Sequence, residues 1–299
     1  YDWRHVPGVT APAFLSRQYG ADKDRDFCFG LSDGRIGSTG YVFTKYDGQG
    51  TTSGTTAVFL LDNGYVALGA GIESDSPAPV HTTLNQTLAA DPQIGGQPLA
   101  NTRDTLAGGA WAHNNRIGYV LLQSGALHAE YALHQPEDYP SLWKTGYTQF
   151  SIDCDGRRPE DHPVDPTFSL WLDHGVNPQG GTYAFAVLPG ATPEQTAAFA
   201  ENPAVTVLQN TTALQAIACA DGAMMANFYQ PGELSWNGHT LSVDRPCAVL
   251  WRPNALSAAV ANDQPGVTLT VIDDGQRRVF EIPALPYTGK TITKERNQA

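Results

Sequence analysis

The sequence is short of long apolar runs, basic residues, cysteine and helix signals, and each shortage excludes a class of protein. No segment of the 299-residue chain approaches the roughly 20 consecutive apolar residues of a membrane-spanning helix. Lys and Arg number 18 against 30 Asp and Glu, a formal net charge of −12. Nucleic-acid binding is dominated by Lys and Arg contacts to phosphates, so no nucleic-acid partner is expected, and no membrane partner either. Any polyanion would have to be held by a local basic patch or by another domain. The four cysteines, Cys28, Cys154, Cys219 and Cys247, show no CxxC spacing, which argues against zinc. Cys28, Cys219 and Cys247 lie in apolar runs and are expected as buried free thiols rather than disulfides. No serine nucleophile elbow, P-loop, GxGxxG or HExxH is read in the chain. No signal peptide is visible, and the start at Tyr1 rather than Met is expected of a processed or truncated product.

What is present is glycine, proline and short β-branched runs. With 30 Gly, 21 Pro and an apolar fraction of 41%, the composition favours sheets and turns around an ample core. The organising stretch is Thr56–Gln86. Two apolar runs, Thr56–Leu61 and Tyr65–Ile72, flank Asp62-Asn63-Gly64, a strong hairpin signal because Asn-Gly tolerates positive φ. Gly69 and Gly71 in the second run point to a bulge or a close backbone approach. A polar strand with His81, Thr82, Thr83, Asn85 and Gln86 follows. Thr192–Ala200 is the one good helix signal, with Thr192 as N-cap, Pro193 at the first position and Gln195 behind it. Strand signals at about 8–12 residue spacing run along the whole chain, so the fold class is all-β, of sandwich architecture. The expected organisation is a large unit over residues 1–226 and a smaller one over 227–299.

Few residues are candidates for chemistry. His174 follows Asp173, yet neighbours on a strand face opposite sides and cannot pair directly. His81 and His113 are further acid–base candidates, each weighed against a structural histidine. Asp153, Asp155 and Asp161 lack the spacing of a calcium loop and read as a solvated loop. Asp2, beside Trp3 in an ordered aromatic loop, is a better single metal ligand.

Taken together, WRHVPGVT, FGLSDGRIG, LLDNGYVALGAGIES, VHTTLNQ, FSLWLDHGVNP, YAFAVLPG, ANFYQPGEL and RPCAVL resemble the carboxy-terminal β half of polysaccharide lyase family 8, whose members cleave hyaluronan, chondroitin and xanthan. The resemblance runs along nearly the whole chain in the family's order. It implies a large antiparallel β-supersandwich over residues 1–226 and a small β-sandwich over 227–299. It also implies an amino-terminal α/α-toroid partner whose Asn, His, Tyr and Arg neutralise a uronate carboxylate and abstract the C5 proton. The family's Glu–x–x–Asn pair precedes the WRxxPG segment, so no catalytic residue is carried onto this chain. No cofactor is required; a structural calcium is implied at Asp2 and the Trp3 carbonyl. The implied substrate is an acidic polysaccharide and the implied location extracellular. The alternative reading is a stand-alone carbohydrate-binding or structural β module.

Overall fold

A computed structural model describes residues 4–13, 20–21, 28–46, 49–99, 103–107, 110–123, 125–132, 166–261 and 264–296. Four antiparallel sheets stack on one another. The outer sheet has the strand order Thr10–Pro12, Pro79–Leu88, Thr167–Val176, Ala126–Ala132, Arg103–Ala107. The ten-stranded central sheet runs Gly20–Ala21, Gly37–Tyr46, Thr51–Leu61, Gly64–Ser74, Gln179–Pro189, Ile117–Leu121, Trp111–Asn114, Gln93–Ile94 and Gln97–Pro98, with Cys28–Ser32 also on Gly37–Tyr46. A six-stranded third sheet contains Val205–Asn210, Leu214–Cys219, Met224–Phe228, Cys247–Arg252, Ala255–Val260 and Ile292–Glu295. The fourth sheet holds Gly232–Trp236, His239–Val243, Thr268–Asp273 and Gln276–Glu281. The fold is therefore all-β, as expected.

Three apolar cores fill the three gaps. Phe168, Leu170 and Leu172 of the outer sheet meet Tyr183, Phe185 and Val187 of the central sheet. The opposite face of the central sheet, with Phe59, Val66 and Leu68, packs on Ile217, Met225 and Leu250 of the third. Alternate residues of the third sheet, Met224, Phe228 and Val249, face Leu241, Leu269 and Phe280 of the fourth. Both middle sheets are thus buried on two faces, and Met224–Phe228 is buried throughout. Such strands read as unbroken apolar runs rather than alternating ones.

Strands Val205–Asn210 and Leu214–Cys219 pair into the third sheet with Met224–Phe228. The change from one sandwich to the next therefore falls between Pro189 and Val205, and the expected division at 226/227 lies inside that third sheet. The only described helix, Pro193–Glu201, bridges the two with the capping box that Thr192 and Gln195 predict. Polar ties fasten the third sheet to the central one. Asn227 accepts from the Ser38 hydroxyl (2.8 Å) and donates to the Thr39 carbonyl (3.1 Å). Arg252 pairs with Asp33 at 2.9 Å.

Gly64 of the organising hairpin has the expected positive φ, but it is not a turn residue. Leu61 pairs with Gly64, so the loop is Asp62-Asn63, neither of which has positive φ. Gly64 instead opens the next strand at φ 143°, where a Cβ would stand 2.0 Å from the Val187 carbonyl oxygen. The mirror-image Asn-Gly turn occurs at Asn237-Gly238, with φ of 44° and 82° between the paired Trp236 and His239. Gly69 meets the expectation of close approach: the Tyr183 ring lies where its Cβ would be, 2.0 Å away.

The thiols divide. Cys247 is buried, Cys219 half-buried and Cys28 exposed, which corrects the expectation of burial for Cys28; Cys219 and Cys247 are free thiols, and Cys154 lies outside the described residues. Burial pushes the Cys219 thiol up to about 11 and Cys247 higher still. Titration of the native chain with a thiol reagent is expected to modify Cys247 only after denaturation; fast native labelling at Cys247 would contradict this burial. Gly64→Val is expected to lower the unfolding midpoint more than Gly238→Val. Both suffer φ strain, but only the first also drives a side chain into backbone, for a cost above the ~1 kcal/mol typical of point substitutions. Thermal unfolding of the two variants side by side checks the order.

Candidate functional site

A group of imidazole, indole and carboxyl side chains lies on the face of the outer sheet turned away from the central sheet. Along Thr167–Val176, Phe168, Leu170 and Leu172 point into the core, leaving Ser169, Trp171 and Asp173 on the other face. Cross-strand pairing sets His128 opposite Trp171 and His81 opposite Asp173. His5, from the irregular chain before Thr10–Pro12, covers them. Its Nε2 lies 3.0 Å from His81 Nδ1, and its ring leans on Trp171 at a tilt, with centroids 4.4 Å apart. His81 and His128 each stack on Trp171 at 5.8 Å. The covering segment is pinned by the Gly8 amide donating to the Thr83 carbonyl, the Thr83 amide donating to the Val9 carbonyl, and Gln86 donating to the His5 carbonyl at 2.7 Å.

His174 faces the other way, as strand alternation requires. It points into the gap between outer and central sheets, where Nε2 lies 2.8 Å from the Thr82 hydroxyl. Asp173 reaches His81 instead, at 3.7 Å. His113 Nε2 sits 2.9 Å from the Ala191 carbonyl, a structural tie between a central-sheet strand and the helix N-terminus. The predicted histidines are therefore not brought together: His81, His113 and His174 occupy three separate environments. Sequence reasoning missed His5, His128 and Trp171 as companions of His81. The period-two spacing of His81 and Thr83 marks the shared face, but nothing local shows which distant strands adjoin it.

Burial, first of all, lowers both His81 and His174 to about 4, and at His81 the nearby His5, His128 and His174 add to the effect. At neutral pH both are uncharged, unable to act as general acids. Ser32 lies in Gly30-Leu31-Ser32-Asp33-Gly34, whose glycine spacing matches the pattern of a nucleophile elbow. It joins two antiparallel strands, however, and its Oγ donates to the Ile36 carbonyl (3.1 Å) and accepts from the Gly34 amide (3.0 Å). An elbow needs a strand-to-helix turn with a free hydroxyl. Among the described residues no group of three His, Cys, Asp or Glu side chains is placed to hold a metal ion. Asp2, Trp3, Asp153, Asp155 and Asp161 lie outside the described residues.

The sheet architecture matches known proteins in both halves. The family model for the polysaccharide lyase family 8 super-sandwich domain matches residues 1–200, and that for the family's C-terminal beta-sandwich domain matches residues 206–273. The chain belongs to polysaccharide lyase family 8. A chondroitinase-AC of Pedobacter heparinus is 30% identical over 260 residues, 84% of this chain and 35% of the relative. A hyaluronate lyase of Thermasporomyces composti is 28% identical over 295 residues, again 35% of the relative. Among solved structures, that of a chondroitinase AC lyase in complex with oligosaccharides superposes with a TM-score of 0.81 at 27% identity, over 98% of this chain and 44% of that one. The chain thus spans about a third of the length of these curated family 8 relatives.

The two lowered imidazoles carry a pH consequence. The unfolded chain binds their protons near 6.5 and the folded chain only near 4. Their contribution is complete above about pH 6.5, declines as pH falls through this window, and levels off below about 4. The unfolding midpoint is expected to fall between pH 7 and pH 4.5, with a shallower fall in His174→Gln. A midpoint independent of pH over that range would contradict the burial of both rings.

Proposed function

We propose that this chain is the β portion of an extracellular polysaccharide lyase that cleaves a uronic-acid-containing polysaccharide, chondroitin or hyaluronan, with xanthan next, by β-elimination. In that reaction a base removes the proton at C5, the C4–O bond breaks, a C4=C5 double bond forms, and the leaving oxygen takes up a proton. The observation that carries the reading is the 30% identity to a chondroitinase-AC along 84% of this chain. The substrate assignment follows the names of that relative and of the hyaluronate lyase.

The base and the acid are assigned to an α/α-toroid partner domain rather than to this chain. Three features support the division of labour. His81 and His174 are neutral and engaged with sheet groups. His113 is tied to a backbone carbonyl. A net charge of −12 works against a polyanion, which fits attraction and carboxylate neutralisation by cationic groups of another domain. This β portion supplies a rigid support.

Purified chain incubated with chondroitin, hyaluronan or xanthan is expected to form no unsaturated uronate, read by its ultraviolet absorbance. Joined to the toroid of a family member, it is expected to support release of that product from chondroitin or hyaluronan. Robust product from the chain alone would overturn the division of labour, and would direct mutagenesis to His81, His113 and His174. No product in either form would favour a non-catalytic carbohydrate-binding or structural module.

A further inference from the structure

Arg296 follows the strand Ile292–Glu295 and puts its side chain into a site that fits both the donors and the plane of a guanidinium. That group has five N–H donors in a fixed fork and two flat faces. Nε donates to Asp273 Oδ2 at 2.6 Å and Nη2 to Asp273 Oδ1 at 3.1 Å, a two-pronged grip on one carboxylate. Nη2 also donates to Asp274 Oδ2 at 3.1 Å. Nη1 reaches the carbonyls of Arg252 at 3.4 Å and Pro253 at 3.2 Å. All five donors are used. One face lies over the Trp251 ring, with Cζ 4.1 Å from its centroid.

The walls of the site are set by residues other than Arg296. The Asp273 side chain is fully buried and also accepts from Trp251 Nε1 (3.0 Å) and Arg278 Nε (3.1 Å). Together with the two bonds from Arg296, these take up the roughly four acceptor positions of a carboxylate. Asp274 is held by the Thr240 amide and by His239 Nδ1, each at 2.8 Å. Trp236 meets the Trp251 ring edge-on at 5.3 Å. Asp273 ends a strand of the fourth sheet, and Trp251 lies on a strand of the third. A guanidinium in this site therefore bridges the two sheets.

The strand that carries Arg296 has little else to hold it. Among the described residues Ile292–Glu295 pairs only with Ala255–Val260, at the end of the third sheet. Ile292 is half-buried, while Thr293, Lys294 and Glu295 are exposed, so apolar burial contributes little. The remaining ties are polar: Thr293 with Ser257 at 2.8 Å, and Arg278 donating to the Glu295 carbonyl at 3.0 Å. We infer that Trp251, Asp273 and Asp274 form a guanidinium-binding site, which Arg296 occupies to strap Ile292–Glu295 across the edge between the third and fourth sheets. An ammonium has neither the fork nor the flat face and does not satisfy the same walls. This site is independent of catalysis and stands or falls apart from the lyase reading.

The test removes the group from the full chain and then adds it back. Amide hydrogen exchange reads the pairing of Ile292–Glu295 with Ala255–Val260. Arg296→Ala is expected to speed exchange there about a hundredfold or more, the scale of a buried ion pair that loses one partner. Because the walls are held by their own partners, millimolar methylguanidinium is expected to slow exchange again toward the wild-type rate. Methylammonium, of the same charge but without the fork, is expected to have no such effect. Arg296→Lys is expected to exchange nearly as fast as Arg296→Ala. Rescue by both cations or by neither overturns the site, and so does a lysine variant that keeps the wild-type rate. Nitrogen-15 spectra of the wild-type arginine side chains need no variant: Arg296 is expected to show slow guanidinium rotation and an Nε proton protected from solvent. Fast rotation with rapid proton exchange at Arg296 overturns the site even where the variants fail to fold.

Discussion

Burial of the central sheet on both faces is the constraint from which the other features follow. A sheet covered on one side can alternate apolar and polar residues, but one covered on two sides cannot. Thr51–Leu61, Gly64–Ser74 and Gln179–Pro189 accordingly carry nearly continuous apolar runs at their centres. Polar groups that enter such a layer have to be satisfied within it. The Tyr229 hydroxyl reaches the Thr56 carbonyl and Gln215, and Asn210 donates to the carbonyls of Gly69 and Tyr183. These bonds set the third sheet in one register on the second, a specificity that apolar packing alone does not supply.

The outer sheet solves a different problem. Its inner face is aliphatic and aromatic, while its other face carries imidazole, indole, amide and carboxyl groups beneath the segment holding His5. Burial on that face keeps His81 neutral, which fits a supporting element better than a proton donor.

Much of the fold was legible because its signals are local. The capping box at Thr192 and the opposite orientations of Asp173 and His174 both follow from residues within a few positions of one another. What was not legible depends on partners far away in sequence. Leu214–Cys219 has the same apolar texture as the strands before it, and only its pairing with Met224–Phe228 assigns it to the second sandwich. Gly64 matched an Asn-Gly turn by composition, whereas its real constraint is the Val187 carbonyl. The cluster around Trp171 draws His5, His81 and His128 from three separate segments, and no spacing rule joins them.

The shared core between the central and third sheets bears on how the polypeptide assembles. The strand Gln179–Pro189 completes the central sheet by inserting between Gly64–Ser74 and Ile117–Leu121, a pairing across more than a hundred residues that must await a long loop closure. The carboxy-terminal hairpins are local and can form early. Until the larger layer closes over them, Ile217, Met225, Leu250 and their neighbours are a greasy, solvent-facing surface. The small sandwich is thus a poor candidate for a free-standing, soluble fragment: detached from its neighbour it would be sticky, and joined to it the same surface becomes interior.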